Sequence, residues 1–116
     1  MVGSLGQQIL SVDPRLRSVL ITDRTGRFIE FRTQNSKTKV LMSDDDIRSL
    51  GGTSSALLSE AAELLEKYFG PASCVTTRME KADVHTIRLG ERLAVITTRP
   101  NDFPAEVAKK IKEMKM

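Results

Sequence analysis

A chain of 116 residues, 40% hydrophobic and 28% charged, has the size and balance of one folded domain spanning residues 1–116, and not of a disordered tail. Its single cysteine, Cys74, excludes an internal disulfide, and its net charge of +3 is mild. The opening MVGSLGQQIL has no basic n-region or sustained apolar core, and no apolar run approaches the roughly 20 residues of a bilayer span, so the expected location is the cytoplasm, with no membrane partner.

The predicted elements run as follows. Val2 to Val12 reads as a short helix, with Leu5, Ile9 and Val12 on one stripe and Asp13-Pro14 ending it. Val19, Leu20 and Ile21 form an apolar, β-rich run that suits a strand covered on both faces. Asp23-Arg24-Thr25-Gly26 has the Asp-first, Gly-fourth pattern of a type I turn closing a hairpin with a bulge. The return strand carries Phe28, Ile29 and Phe31, with Glu30 and Arg32 expected to face water. Strict alternation places Phe28 and Phe31 on opposite faces.

Residues 33–54 read as a looser stretch. Within it Ser43 and Asp46 have capping-box spacing and predict a short helical turn, and Gly51-Gly52 reads as a hinge. The clearest element follows, a helix capped by Ser54 or Ser55 and closed by Gly70-Pro71. Leu57, Ala61, Leu64, Leu65 and Tyr68 make one apolar stripe along it, widened by Leu58, Ala62 and Phe69. That arc is broader than a helix lying on one sheet needs. Three strands come next: 72–80, 84–89 and 92–98. RLAVITT is the most apolar and is predicted to be central; CVTTRMEK is polar and is predicted to be an edge. A last helix has Asp102 as its cap, Pro104 in its first turn and Val107, Ile111 and Met114 as its buried stripe. The predicted fold is α+β: a five-stranded antiparallel sheet with helices packed on it, in the order α-β-β-α-β-β-β-α.

Catalytic chemistry has little to work with. His85 is the only histidine and reads as a packed strand residue, without cysteine or carboxylate at ligand spacing. Asp44, Asp45 and Asp46 are consecutive, lack the alternating pattern of a Ca²⁺ loop, and suit a helix start instead. There is no Walker sequence and no GxGxxG. Cys74 reads as a small apolar strand residue. The basic residues cluster in the first hairpin region (Arg15, Arg17, Arg24, Arg27, Arg32, Lys37, Lys39) and in the tail KKIKEMKM. Aromatics are 4% of the chain and there is no Trp, which disfavours an RNA-binding sheet. No metal, cofactor or catalytic residue is assigned.

Three stretches together carry a family resemblance: SVLITDRTGRFIEF, SALLSEAAELLEKYFG and ERLAVITTRP. The hydrophobic strand, D-x-x-G turn and second strand, the long helix and the final meander resemble the roadblock/dynein light chain family, and behind it the longin and profilin-like folds. The likeness is to small, stand-alone, archaeal-type members. It implies a non-enzymatic adaptor or scaffold whose long helices pack antiparallel in a homo- or heterodimer, with third strands paired across it, serving as a platform for a small Ras-like GTPase. The expected homodimer interface is then Leu57, Ala61, Leu64, Leu65, Tyr68, Val75, Thr77 and Met79. A ligand-sensing domain and a nucleic-acid binder using the first hairpin are the competing readings.

Overall fold

The computed structural model describes residues 3–34 and 42–114. The Val2 start of the first predicted helix, Lys37 and Lys39, and the last two residues of the basic tail lie outside them. The elements are α1 (Leu5–Leu10), β1 (Ser18–Asp23), β2 (Phe28–Thr33), α2 (Asp44–Phe69), β3 (Cys74–Arg78), β4 (Asp83–Leu89), β5 (Arg92–Thr98) and α3 (Ala105–Lys112). They follow the predicted order. The strands form one antiparallel sheet in the spatial order β2-β1-β5-β4-β3. β5 is central and β3 is an edge, as the sequence indicates.

Both faces of the sheet are covered, and the apolar run of β1 shows why that run is continuous. Val19 and Ile21 join the core formed with Ile9 and Leu10 of α1 and Val107 and Ile111 of α3. Leu20 points the other way, to a cluster with Val95 and Ile47 of α2. Alternate residues of one strand thus serve two cores.

The first hairpin turns on Asp23. Its carboxylate accepts from the Thr25 N–H at 2.9 Å, the Thr25 hydroxyl at 2.7 Å and the Arg27 N–H at 3.0 Å. Those donors hold its pKa below the ordinary carboxylate value. Gly26, at φ +93°, takes the left-handed position. Ile21 pairs with Glu30 but Thr22 with Phe28, so Ile29 is an extra, bulged residue. The bulge corrects the strict alternation read from sequence. Phe28 and Phe31 both pack on the α2 side, Ile29 is exposed, and the Glu30 carboxylate turns inward to accept from the Gly6 N–H at 2.7 Å.

The long helix is the main departure. Instead of a short turn, a glycine hinge and a separate helix, one helix runs unbroken for 26 residues. Ser43 caps it, accepting from the Asp46 N–H at 3.1 Å, and the three aspartates lie in its positive first turn. Gly51 is buried in mid-helix because it abuts the first hairpin: a Cβ there would collide with the Gly26 carbonyl oxygen and lie 2.9 Å from Thr22 Cγ2. Tertiary contact, not a break, requires the glycine. Ser54 and Ser55 cap nothing; Ser54 is buried, and Ser55 Oγ donates to the Arg24 carbonyl at 2.8 Å. At the other terminus Gly70, at φ +84°, donates its N–H to the Glu66 carbonyl at 2.8 Å.

α3 also starts differently from its expected cap. Pro104 is its N-cap, no side chain caps it, and Asp102 lies outside. Val107 and Ile111 are buried and Met114 packs against their cluster, as expected.

Candidate interaction surface

α2 meets the sheet through Ile47, Gly51, Ser54, Leu58 and Ala62, spaced four, three, four and four residues apart on one helical face. The stripe that is most apolar in sequence is a different one. Leu57, Ala61, Leu64 and Tyr68 lie about a quarter turn round the helix. Leu57 is 43% exposed, and Leu64 and Tyr68 are 69% exposed. The chain's own sheet leaves this stripe uncovered.

A second uncovered surface adjoins it. Residues 63–71 are all exposed. Leu65 and Phe69 continue the inner stripe of Leu58 and Ala62, three and seven residues beyond Ala62, yet Phe69 is 81% exposed. The last two turns of α2, about 10 Å of helix, therefore overhang the sheet with apolar side chains on both inner and outer faces. Tyr68 and Phe69 rings lie 6.3 Å apart, and the Lys67 ammonium is 5.0 Å from the Tyr68 ring. Contiguous exposed apolar side chains of this kind mark interaction sites.

The edge strand β3 bonds to β4 on one side only. Val75 and Thr77 oppose Thr86 and Val84, and Val84 packs in the cluster beneath α2, so both share the face on which α2 lies. Val75 is half-buried, Thr77 is exposed, and Met79, just past the strand, is also exposed. The structure thus exposes Leu57, Leu64 and Tyr68 on the outer face with Ala61 half-buried among them, puts Leu65 on the inner face instead of on their stripe, and puts Val75, Thr77 and Met79 along an open edge. Phe69 is the exposed residue that the expected interface omits; its place in line with Leu58 and Ala62 is the signal that marks it.

The other polar cluster is internal. His85 is buried, its ring stacked on Phe103 at 4.1 Å between centroids. Thr98 Oγ1 donates to the Arg99 carbonyl at 2.9 Å, and so accepts from His85 Nε2 at 3.0 Å. That leaves Nδ1 to accept from the Thr76 hydroxyl at 2.9 Å. A neutral imidazole thereby ties edge strand β3 through β4 to central β5. Burial lowers its pKa from the ordinary 6.5. Nearby, Asp83 is buried and accepts from Arg78 Nε and Nη2 at 3.1 and 3.0 Å and from the Asn101 N–H at 3.0 Å. Arg78 is the main reason its pKa is lowered. Among the described residues, no three His, Cys, Asp or Glu side chains are placed to hold a metal ion, and no helix is long and apolar enough to cross a membrane.

No family model matches the sequence, and no curated protein does. Solved structures do match. A roadblock/LC7 domain from Streptomyces avermitilis superposes with a TM-score of 0.71 at 12% identity, covering 92% of this chain and 85% of that one. The chain has the roadblock fold. The gliding protein MglB of Thermus thermophilus shares this roadblock architecture: TM-score 0.69 at 16% identity, with 97% and 89% of the two chains covered. An MglB in a tetrameric arrangement gives 0.69 at 14% identity over 97% and 88%, and the Myxococcus xanthus MglB gives 0.65 at 16% over 94% and 89%.

Proposed function

We propose that this chain is a non-enzymatic docking subunit. Two copies meet through the exposed stripe of α2, and the pair binds a small Ras-like GTPase, holding it in one conformation without lending a catalytic group. One observation carries the reading: Leu57, Leu64 and Tyr68 form an apolar stripe that the chain's own sheet leaves open. A two-fold axis beside α2 would cover that stripe, the Leu65–Phe69 overhang and the β3 edge together. The tetrameric arrangement of an MglB of this fold supports self-association, and the GTPase rests on the likeness to roadblock proteins, a fold-level warrant.

The competing readings have less support. The cavity between α2 and the sheet holds about 60 Å³, below the ~300–1,000 Å³ of a metabolite pocket; the space of about 440 Å³ between α1 and β2 reaches that size, but it is an open groove whose one charged lining residue, Arg32, is already paired with Glu30. In the first hairpin region Arg15 and Arg32 are paired with Asp13 and Glu30, which breaks up the basic surface a nucleic acid would need.

The test has two parts. Solution mass should be that of a dimer at micromolar concentration. Immobilised protein should retain small GTPases of its source organism in one nucleotide state and not the other. A monomeric chain, or one that retains no GTPase in either state, refutes the proposal.

A further inference from the structure

On the opposite flank of α2 from Leu64, a small cavity opens where the two hairpin turns approach the helix. It is lined by Arg24, Ser55, Leu58, Ser59, Arg88 and Leu93. Leu58 and Leu93 are buried, and form its apolar part. Its polar lining is made of hydrogen-bond donors and hydroxyls, with no carboxylate.

Arg88 is the anomaly. It sits on β4, an inner strand, half-buried, yet among the described residues its guanidinium has no ion pair and no hydrogen bond. Its nitrogens keep access to solvent, so the charge is open to an anion arriving from water. A second guanidinium lines the same space: Arg24 is paired only loosely, at 3.7 Å, to an exposed Glu91. Ser55 spends its proton on the Arg24 carbonyl, which fixes the hairpin against the helix and leaves Ser59 as the free hydroxyl donor. The two guanidinium groups line one small space with an apolar floor and no carboxylate, so one anion between them can pair with both.

We infer that this cavity binds a single oxyanion, a phosphate or a carboxylate, gripped by Arg88 and Arg24 and hydrogen-bonded by Ser59. Guanidinium matches the paired oxygens of either group. At about 60 Å³ the site admits one such group and no nucleoside. The oxyanion is either a free phosphate ion or the side-chain carboxylate of a docked partner. The inference is independent of the dimer, because it uses the other flank of the helix.

The experiment follows the arginine Nε–H resonances of the full chain in ¹⁵N-labelled protein, at ionic strength held constant with chloride. One titration uses inorganic phosphate; the other uses a short glutamate-rich peptide. Saturable shifts of Arg88 and Arg24 are expected in at least one. Saturation by phosphate at lower concentration assigns a free ion; saturation by the peptide at lower concentration assigns a partner's side chain. Arg24→Gln, in an exposed turn, should weaken binding roughly tenfold or more, as should Arg88→Gln, read at Ser59. Lys110→Gln and Leu64→Asp should leave it unchanged. Linear, non-saturating shifts in both titrations, or equal affinity in Arg24→Gln, overturn the inference.

Discussion

Replacing Leu64 by aspartate separates the fold from the assembly. Leu64 is 69% exposed in the single chain, so the substitution removes little packing there, and a surface change of this kind is worth about 0.5 kcal/mol or less. The loss in the dimer is larger. Fully burying a Leu is worth roughly 1.5–3 kcal/mol, of which about two-thirds, ~1–2 kcal/mol, remains to be gained in an interface. A two-fold axis counts it twice, giving about 2–4 kcal/mol, or roughly 30- to 1,000-fold in dissociation constant. The buried carboxylates add to that. Sedimentation velocity at about tens of micromolar should show wild type as a dimer and Leu64→Asp as a monomer. Far-UV circular dichroism and the urea midpoint of the monomer should be those of a folded chain. Leu58→Ala is the contrasting variant: Leu58 is 1% exposed, and its truncation should cost about 2–5 kcal/mol of stability. The reasoning fails if Leu64→Asp remains dimeric, or if it unfolds as Leu58→Ala is expected to do.

Other consequences are open to direct measurement. Gly51→Ala should destabilise the protein despite alanine's helix preference, because its Cβ meets the Gly26 backbone. Gly52→Ala, with nothing within 4 Å of the added carbon, should stabilise it by about 0.5–1 kcal/mol; thermal melts that move both in the same direction contradict the packing described. His85 has a folded pKa below its ordinary 6.5, so the unfolded chain takes up the proton first as pH falls. Its contribution is whole above about pH 6.5 and declines below it, and stability measured from about pH 7 to about pH 5 should fall less steeply in His85→Gln. Asp83, also lowered, is lost only on further acidification below its ordinary 3.8, so the two slopes are distinguishable.

The sheet was readable in the sequence because its signals are local. The Val19-Leu20-Ile21 run, the Asp23-to-Gly26 turn and the apolar RLAVITT strand each state their own burial. α2 was readable as a helix but not in its extent or orientation. Gly51-Gly52 followed by Thr53-Ser54-Ser55 has the composition of a break and a cap, and only the Gly26 turn, distant in sequence, explains why a glycine belongs there. Its inner face contains Gly51 and Ser54, which hydrophobic periodicity does not register, whereas the outer face is rich in Leu. Pattern alone therefore picked out the stripe that the sheet does not cover. The two-arginine cavity had no signature at all, since Arg24 and Arg88 line one space only through the topology that brings the two hairpin turns to one end of the sheet.

The bulge at Ile29 bears on how far such chains can assemble. A sheet with two regular rims can add neighbours at both and grow into a fibre. Here the β2 rim is kinked by an inserted residue and flanked by the charged Arg32, which resists strand addition. Among the described residues, only the β3 side offers a regular ladder. If two copies pair symmetrically there, as proposed, they use up the regular rim that each described sheet offers, and association by strand addition stops at two.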